Sequence, residues 1–182
     1  MERNRRIEIR LAGSGGQGLI LGARMLFRAL ALEGRRAAQS QSYEPTSRGG
    51  FCFSDLVVGD EADYPLVTGL DVLIALDQLG AVRSSALAKP RALVIVDERL
   101  VTWRPEGDFS IYALPMIDSA IAIGSARVAN IIALGALVAI SQLCKPTSLD
   151  AAIELETPGK FAELNLEAVR QGYRLARNLA PG

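Results

Sequence analysis

The sequence contains no histidine and only two cysteines, Cys52 and Cys144. Without an imidazole, a serine or cysteine nucleophile lacks its usual base, which argues against triad chemistry. Two isolated cysteines without histidine cannot complete an iron–sulfur cluster or an ordinary zinc site. We therefore expect neither a catalytic residue nor a metal site in this chain, and we expect reduced thiols, as in a cytoplasmic protein.

Long apolar segments and charge of one sign are also missing. The longest apolar run, from Val128 to Ile140, is interrupted by Asn130 and is too short to cross a bilayer. The polar, basic start of the chain has no apolar core of a signal peptide. Lysine and arginine balance aspartate and glutamate at a net charge of zero. We expect neither a membrane nor a nucleic acid as a partner.

What the chain does have is 182 residues that are 49% hydrophobic, enough for one globular domain spanning residues 1–182. Strand and helix patterns alternate through the first two thirds, and helical patterns fill the rest. This order predicts an α/β fold: a Rossmann-like three-layer sandwich with a mostly parallel sheet and a helical C-terminal portion. The predicted strands are Ile7–Ala12, Ala37–Tyr43, Phe51–Val58, Asp71–Asp77, Arg91–Asp97 and Phe109–Leu114.

Helices are predicted from Leu19 to a glycine cap at Gly34 and in four later segments. The hydroxyl of Thr157, followed by proline, is typical of a helix start. Acids that bracket strands, such as Asp77 and Asp97, are interpreted as turn and cap residues rather than metal ligands. The four later helices are 79–88, 126–143, 148–156 and 158–179.

A glycine loop comes directly after the first strand and leads into the first helix. Gly13, Gly15 and Gly18 have dinucleotide-binding spacing, and the helix start favours an anion. The alternative to a binding site is a tight turn that is needed only for packing of the helix against the strand. The candidate binding residues of this loop are Gly13, Gly15, Gly16, Gln17 and Gly18.

A nicotinamide coenzyme is disfavoured by the residues beyond the glycine loop. Such a site needs a carboxylate about twenty residues further on, at the end of the second strand. That strand end carries Ser42 and Tyr43, and Glu44 comes slightly late. Arg35 and Arg36 stand at the wrong end of the strand to hold a nucleotide phosphate.

A second polar segment, from Ser42 to Gly50, begins at the end of the second strand. We expect the C-terminal end of that strand to lie beside the first strand and the glycine loop, in the usual crevice of an α/β sheet. Arg48 next to Gly49 and Gly50 suits a phosphate or carboxylate, although an ordinary surface turn has the same composition. Asn130, the polar interruption of the apolar helix, either caps a local network or faces the glycine loop.

Taken in order, these motifs resemble the gamma subunit of the 2-oxoacid:ferredoxin oxidoreductases. The resemblance extends over nearly the whole chain and is far more specific than the glycine spacing alone. It rests on Gly13–Gly18, Ser42–Gly50, Ser54-Asp55, Tyr64-Pro65, Pro115, Arg127–Asn130, Leu134-Gly135, Ala162–Leu166 and Gly172-Tyr173.

The resemblance implies one part of an enzyme that oxidatively decarboxylates a 2-oxoacid to acyl-CoA, CO2 and reduced ferredoxin. Alpha and beta subunits, with a ferredoxin-like delta subunit, are the implied partners, and ferredoxin is the acceptor. Thiamine diphosphate, magnesium and iron–sulfur clusters belong to those partners, and this chain is associated with coenzyme A access.

The residues carried over as binding or interface candidates are Gly13, Gly15, Gly16, Gln17, Gly18, Ser42, Tyr43, Arg48, Gly49, Gly50 and Asn130. The indolepyruvate oxidoreductase beta subunit has a similar pattern and remains an alternative. A free-standing coenzyme- or nucleotide-binding module is the second alternative.

Overall fold

The computed structural model describes residues 6–43, 49–60 and 62–179. Their strands form one six-stranded sheet in the order β2-β3-β1-β4-β5-β6. The strands are β1 Ile7–Ser14, β2 Ala37–Tyr43, β3 Phe51–Val58, β4 Leu70–Ala75, β5 Ala88–Asp97 and β6 Ser110–Leu114.

Most of the sheet is parallel, as the sequence predicts. β4 pairs in parallel with both β1 and β5, and β6 continues the parallel order. β3 is antiparallel to β1 and to β2, so β2 and β3 form a hairpin. The expectation that the second strand lies beside the first is wrong, because β3 occupies that position.

The helices cover both faces of the sheet. β1 continues into α1 on one face and β4 into α2 on the other, because right-handed crossovers that run in opposite directions from the sheet centre emerge on opposite faces. Successive residues of β1 therefore pack on opposite faces of the sheet. Leu11 packs in the core that contains α1, and Ala12 packs with Ala81 of α2. The helices are α1 Leu19–Leu32, α2 Gln78–Ser84, α3 Met116–Ala122, α4 Ala129–Ser141, α5 Pro146–Glu156 and α6 Gly159–Arg177.

The larger core is centred on α4, which is apolar on every side and buried from Ala129 to Val138. α6 packs against it through two glycines. A Cβ at Gly135 would lie 2.3 Å from the carbonyl oxygen of Val169, and one at Gly172 would lie 2.1 Å from that of Ile132. The two backbones therefore touch, which only glycine permits at these positions.

Two of the predictions about helix ends are confirmed and one is wrong. Gly34 lies just after α1 in a left-handed conformation, and Asp77 caps α2 through a hydrogen bond from the Gly80 N–H, as expected. Thr157 does not cap α6. Its buried hydroxyl instead accepts a hydrogen bond from Asn165. The short helix α3 begins after Pro115 and is not predicted by the sequence patterns. In the described part of the chain, no helix is long and apolar enough to cross a membrane.

Candidate functional site at the glycine loop

The glycine loop joins β1 to α1 at the point where β1 and β4 lie side by side. The segment after β1 leaves the sheet toward one face, and the segment after β4 leaves it toward the other. In open α/β sheets such a point forms a crevice beyond the carboxyl ends of the strands. The N–H of Leu76 donates to the carbonyl of Ala12 at 2.9 Å, so the ends of the two strands are joined. A Cβ at Gly80 would lie 2.6 Å from the carbonyl carbon of Ala12, so α2 begins directly against the loop.

Gln17 holds the loop in shape from within. Its side-chain oxygen accepts the Ser14 N–H at 2.8 Å, and a Cβ at Gly13 would lie 2.1 Å from that same oxygen. Gly16 and Gly18 have φ angles of 101° and 72°, which side chains disfavour. Gly15 and Gly16 are exposed, so their backbone is open to a ligand.

Ser14 links the loop to the start of α2. Its hydroxyl donates to one carboxylate oxygen of Asp77 at 2.5 Å, and the other oxygen accepts the Gly80 N–H at 2.8 Å. One carboxylate thus fixes the loop and caps a helix. Sequence reasoning assigned the cap but not the bond to Ser14, because that bond joins residues 63 positions apart.

The hairpin brings only part of the second polar segment to the loop. The Gly15 N–H donates to the Gly50 carbonyl at 3.0 Å, so Gly49 and Gly50 adjoin the loop as predicted. Ser42 and Tyr43 lie on β2, where their register partners are Phe53 and Cys52 of β3.

β3 therefore lies between β2 and the end of β1, which places Ser42 and Tyr43 two strand spacings from the start of the loop, about 10 Å. Arg48 lies outside the described residues.

Asn130 faces the glycine loop, one of the two alternatives left open by the sequence. Its amide nitrogen donates to the Gly18 carbonyl at 2.9 Å, and the residue is 2% exposed. A Cβ at Gly18 would lie 2.7 Å from that nitrogen, which explains why glycine occurs there in addition to its φ angle. Asn130 Oδ1 is buried and has no hydrogen-bond partner among the described residues.

Two pockets flank the loop and share Gly16, Gly18 and Leu21 as a common wall. The first, here called the loop pocket, has a volume of about 430 Å3 and is lined by residues 14–21, Arg24 and Cys52. The second, here called the Asn130 pocket, has a volume of about 330 Å3 and lies between α1, α4 and α6. Volumes of this size are typical of small-molecule sites.

Each pocket has one arginine in its described lining that sequence reasoning missed, and the Asn130 pocket also has the carboxylate of Glu156. Arg24 lines the loop pocket, and Arg127 lines the Asn130 pocket. Arg24 and Arg28 both pair with Glu156, at 2.7 and 3.0 Å, so two positive charges face one carboxylate. No local sequence signal identifies Arg24, because an arginine on an amphipathic helix is ordinary.

Among the described residues, Glu156 is the carboxylate that lines these pockets, and it is paired with Arg24 and Arg28. Cys52 is buried, and burial raises the pKa of its thiol, so a reactive thiolate is disfavoured. In residues 6–43, 49–60 and 62–179, no three His, Cys, Asp or Glu side chains gather as metal ligands. The arrangement suits binding of an anionic ligand at the α1 start.

Comparisons with known proteins agree with this geometry. The family model for pyruvate ferredoxin/flavodoxin oxidoreductase matches residues 8–175. The chain is 40% identical to the 2-oxoglutarate synthase subunit KorC of Methanocaldococcus jannaschii, over 96% of each chain. This match, together with the family model, confirms the resemblance stated from the motifs.

Two solved structures have the same fold. The gamma subunit of a keto/oxoacid ferredoxin oxidoreductase from Geobacter sulfurreducens is 36% identical, with a TM-score of 0.85 over 95% of this chain and 99% of that one. A 2-oxoglutarate:ferredoxin oxidoreductase from Magnetococcus marinus, solved with 2-oxoglutarate, coenzyme A and succinyl-CoA, is 23% identical. It has a TM-score of 0.86 over 98% of this chain and 32% of that one.

The chain belongs to the pyruvate ferredoxin/flavodoxin oxidoreductase family.

Proposed function

We propose that this chain is the gamma-type subunit of a complex that converts 2-oxoglutarate, coenzyme A and oxidised ferredoxin to succinyl-CoA, CO2 and reduced ferredoxin. The choice of 2-oxoglutarate is supported by the 40% identity to KorC over almost the full length of both chains. The partners are the alpha and beta subunits and a ferredoxin-like delta subunit.

One observation supports the assignment of the chemistry to partner subunits: the described residues that line the crevice include no histidine and no exposed thiol. Coenzyme A is the substrate that such a crevice fits, because it carries phosphates and needs positioning. The backbone N–H groups at the start of α1, with Arg24 beside them, offer donors to a phosphate. The carboxylate of Glu156 beside Arg24 also pairs with Arg28, so two arginines share its charge.

The other cofactors are proposed to reside on partner subunits. Thiamine diphosphate would supply the carbanion chemistry and iron–sulfur clusters the electron transfer. This chain has no histidine, and its two cysteines are buried. Burial is also the main cause that raises the pKa of the Cys144 thiol to about 12, which disfavours thiolate ligation of a cluster.

The test is purification of the complex through a tag on this chain, with a subsequent assay of ferredoxin reduction. We expect 2-oxoglutarate and coenzyme A to be required together, with pyruvate, 2-ketoisovalerate and indolepyruvate as comparison substrates. A strong preference for indolepyruvate would favour the alternative assignment. Recovery of the chain alone, without a thiamine- or cluster-bearing partner, would contradict the proposal.

The second alternative, a free-standing binding module, is tested by thermal unfolding of the chain with added ligands. Ligands that bind only the folded chain raise its apparent stability. A shift of the unfolding temperature by NAD or NADP, with none by coenzyme A, would support that alternative instead.

A further inference from the structure

A further pocket lies at the edge of the sheet opposite the glycine loop. It is lined by the amino-terminal ends of β1, β4 and β6, whereas the glycine loop follows the carboxyl end of β1. We call it the amino-end pocket. Its volume is about 440 Å3, which is typical of a small-molecule site, and the end of α4 contributes to its lining.

Arg91, in β5, lines this pocket with a backbone conformation that favours glycine. Its φ angle is 66°, and it lies between Ala88 and Leu93, where extra residues of β5 interrupt the pairing with β4. Its N–H donates to the carbonyl of Asp108. The left-handed conformation is strained for a residue with a Cβ, and glycine would adopt it without that strain.

The side chain of Arg91 has no polar contact that would explain why arginine occurs at this position. It is exposed, and among residues 6–43, 49–60 and 62–179 its guanidinium forms no hydrogen bond and no ion pair. Strained residues of this kind occur preferentially at binding sites and switch regions. No contact of the described fold accounts for the strain at Arg91.

Two hydroxyl groups on β6 belong to the same lining as this guanidinium. Ser110 and Tyr112 are two positions apart on the strand and therefore project from the same face of the sheet. Neither hydroxyl has a hydrogen-bond partner in the described part of the chain. A guanidinium and two hydroxyls are donors that suit a carboxylate.

The end of α4 offers the opposite kind of group. Ile140 and Ser141 line the pocket, and α4 ends at Ser141. The backbone carbonyls of Ala139, Ile140 and Ser141 accept no hydrogen bond from any residue that the structure describes. Because these carbonyls also form the negative end of the helix dipole, an ammonium group is a favoured partner for them.

Much of the remaining lining is apolar. Ile7, Val72 and Leu93 are its aliphatic residues from the sheet. The carboxylate of Asp71 also lines the pocket, but Lys89 pairs with it at 2.8 Å and balances its charge. The pocket thus combines donors for a carboxylate, acceptors for an ammonium group and an aliphatic surface.

We propose that the amino-end pocket binds an α-amino acid with an aliphatic side chain. Arg91 and the hydroxyls of Ser110 and Tyr112 bind the carboxylate, the carbonyls at the end of α4 accept the ammonium group, and the side chain packs on the aliphatic residues of the sheet. The site goes beyond the proposed function, because it lies at the other edge of the sheet from the glycine loop. α4 connects the two edges, with Asn130 near its start and Ser141 at its end.

The first test divides the ligand into its parts. Binding of L-leucine to the full 182-residue chain is measured by calorimetry and compared with 4-methylpentanoate, which lacks the ammonium group, and 3-methylbutylamine, which lacks the carboxylate. We expect each analogue to bind roughly tenfold more weakly or worse, because each leaves charge-assisted partners unused. L-Glutamate should also bind more weakly than L-leucine, since it places a second carboxylate on the aliphatic surface.

Every contrary result of this comparison overturns the proposal. No binding of L-leucine would show that the site does not take an aliphatic amino acid. Equal binding of 4-methylpentanoate would show that the end of α4 does not bind an ammonium group. Equal binding of 3-methylbutylamine would show that Arg91 does not bind a carboxylate, and equal or tighter binding of L-glutamate would contradict the aliphatic surface.

The second test uses the strain at Arg91. Arg91→Gly removes the guanidinium and relieves the left-handed strain, so the thermal unfolding midpoint should stay the same or rise. Binding of L-leucine should nevertheless weaken roughly tenfold or more, because the charged partner of its carboxylate is lost. A loss of binding without a loss of stability is a result that a purely structural role for Arg91 would not give.

Arg104→Gly is the matched control for this variant. Arg104 is also exposed, does not line the pocket and is not among the described non-glycine residues with a positive φ. It should leave the binding of L-leucine unchanged. Unchanged binding in Arg91→Gly, a clear fall in its unfolding midpoint, or an equal loss of binding in the two variants would overturn the proposal.

Discussion

The amide of Asn130 on α4 donates to the carbonyl of Gly18, 112 residues earlier in the chain, at 2.9 Å. That carbonyl also accepts the Gly22 N–H of α1 at 2.9 Å, so both of its acceptor positions are used. The contact fixes the start of α1, and therefore the glycine loop, against the apolar core. A buried side chain thus positions the part of the molecule that we propose binds coenzyme.

The first prediction concerns this amide. Asn130→Ala removes one donor and should lower the free energy of unfolding by about 1–2 kcal/mol. Asn130→Asp should cost more, about 3 kcal/mol or more, because it places a carboxylate in a buried site opposite the Gly18 carbonyl. Urea denaturation measures both. A larger loss for alanine than for aspartate would contradict the assigned contact.

A second prediction separates steric contact from backbone strain at Gly18. Gly18 and Gly34 share a φ of 72°, but a Cβ at Gly18 would lie 2.7 Å from Asn130 Nδ2, whereas one at Gly34 meets nothing within 4 Å. Gly34→Ala should therefore cost only the strain of the left-handed conformation, about 1–2 kcal/mol. Gly18→Ala should cost clearly more in chemical denaturation.

The extra loss of stability caused by Gly18→Ala should be smaller in a background that also carries Asn130→Ala, because the second change removes the clashing amide. Strictly additive losses in the double variant would show that the two residues do not interact in this way.

The third prediction concerns the buried pair of Arg10 and Asp55, which are register partners on β1 and β3. Their two hydrogen bonds are each 2.7 Å long, and Arg10 Cζ lies 4.0 Å from the centroid of the Phe53 ring. Asp55→Asn leaves the guanidinium without its charge partner and should cost about 3–5 kcal/mol. Replacing both residues, as Arg10→Met with Asp55→Leu, should cost less than the single change in urea denaturation. A double variant that is less stable than Asp55→Asn would contradict this view of the pair.

The fourth prediction concerns pH and Glu8, which is 1% exposed. Burial alone raises the pKa of its carboxyl, but hydrogen bonds from the Gly69 N–H and Arg6, with the charge of Lys89, outweigh it and hold the pKa below its usual 4.5. The carboxylate therefore stabilises the fold fully above about pH 4.5, and this contribution is lost as the pH falls through the lower pKa of the folded state.

Unfolding midpoints of the wild type and Glu8→Gln, measured from pH 7 to pH 3, test this. The advantage of the wild type at pH 7 should narrow once the pH falls below about 4.5, since protonation removes the same charge. Glu154→Gln, at an exposed position of α5, is the control for loss of one negative charge. A gap that widens on acidification would contradict the assigned network.

The first strand, the glycine loop and the first helix could be predicted because their signals are local. The alternation from Ile7 and the spacing of Gly13, Gly15 and Gly18 lie within a dozen residues. The place of β3 beside β1 could not be predicted in this way. Strand order depends on pairing between distant segments, and a hairpin after β2 is compatible with the same local pattern.

The same limit applies to the site. Asn130 was identified because a polar residue interrupts an apolar helix, but its partner could be chosen only when the fold placed it beside Gly18. Arg24 carries no such local mark, since an arginine on an amphipathic helix is ordinary. It becomes a candidate only through the pocket that it lines.

The central claim is that this chain binds coenzyme A for a reaction catalysed on partner subunits, and one pair of variants tests it most directly. Arg24 and Arg28 are both half-exposed and both pair with Glu156, but only Arg24 lines the loop pocket. In the purified complex, Arg24→Gln should raise the KM for coenzyme A roughly threefold to tenfold, the effect of one exposed charge-assisted contact. The KM for 2-oxoglutarate and kcat should not change, and Arg28→Gln should match the wild type. An unchanged KM for coenzyme A in Arg24→Gln, with a loss of kcat instead, would contradict the claim.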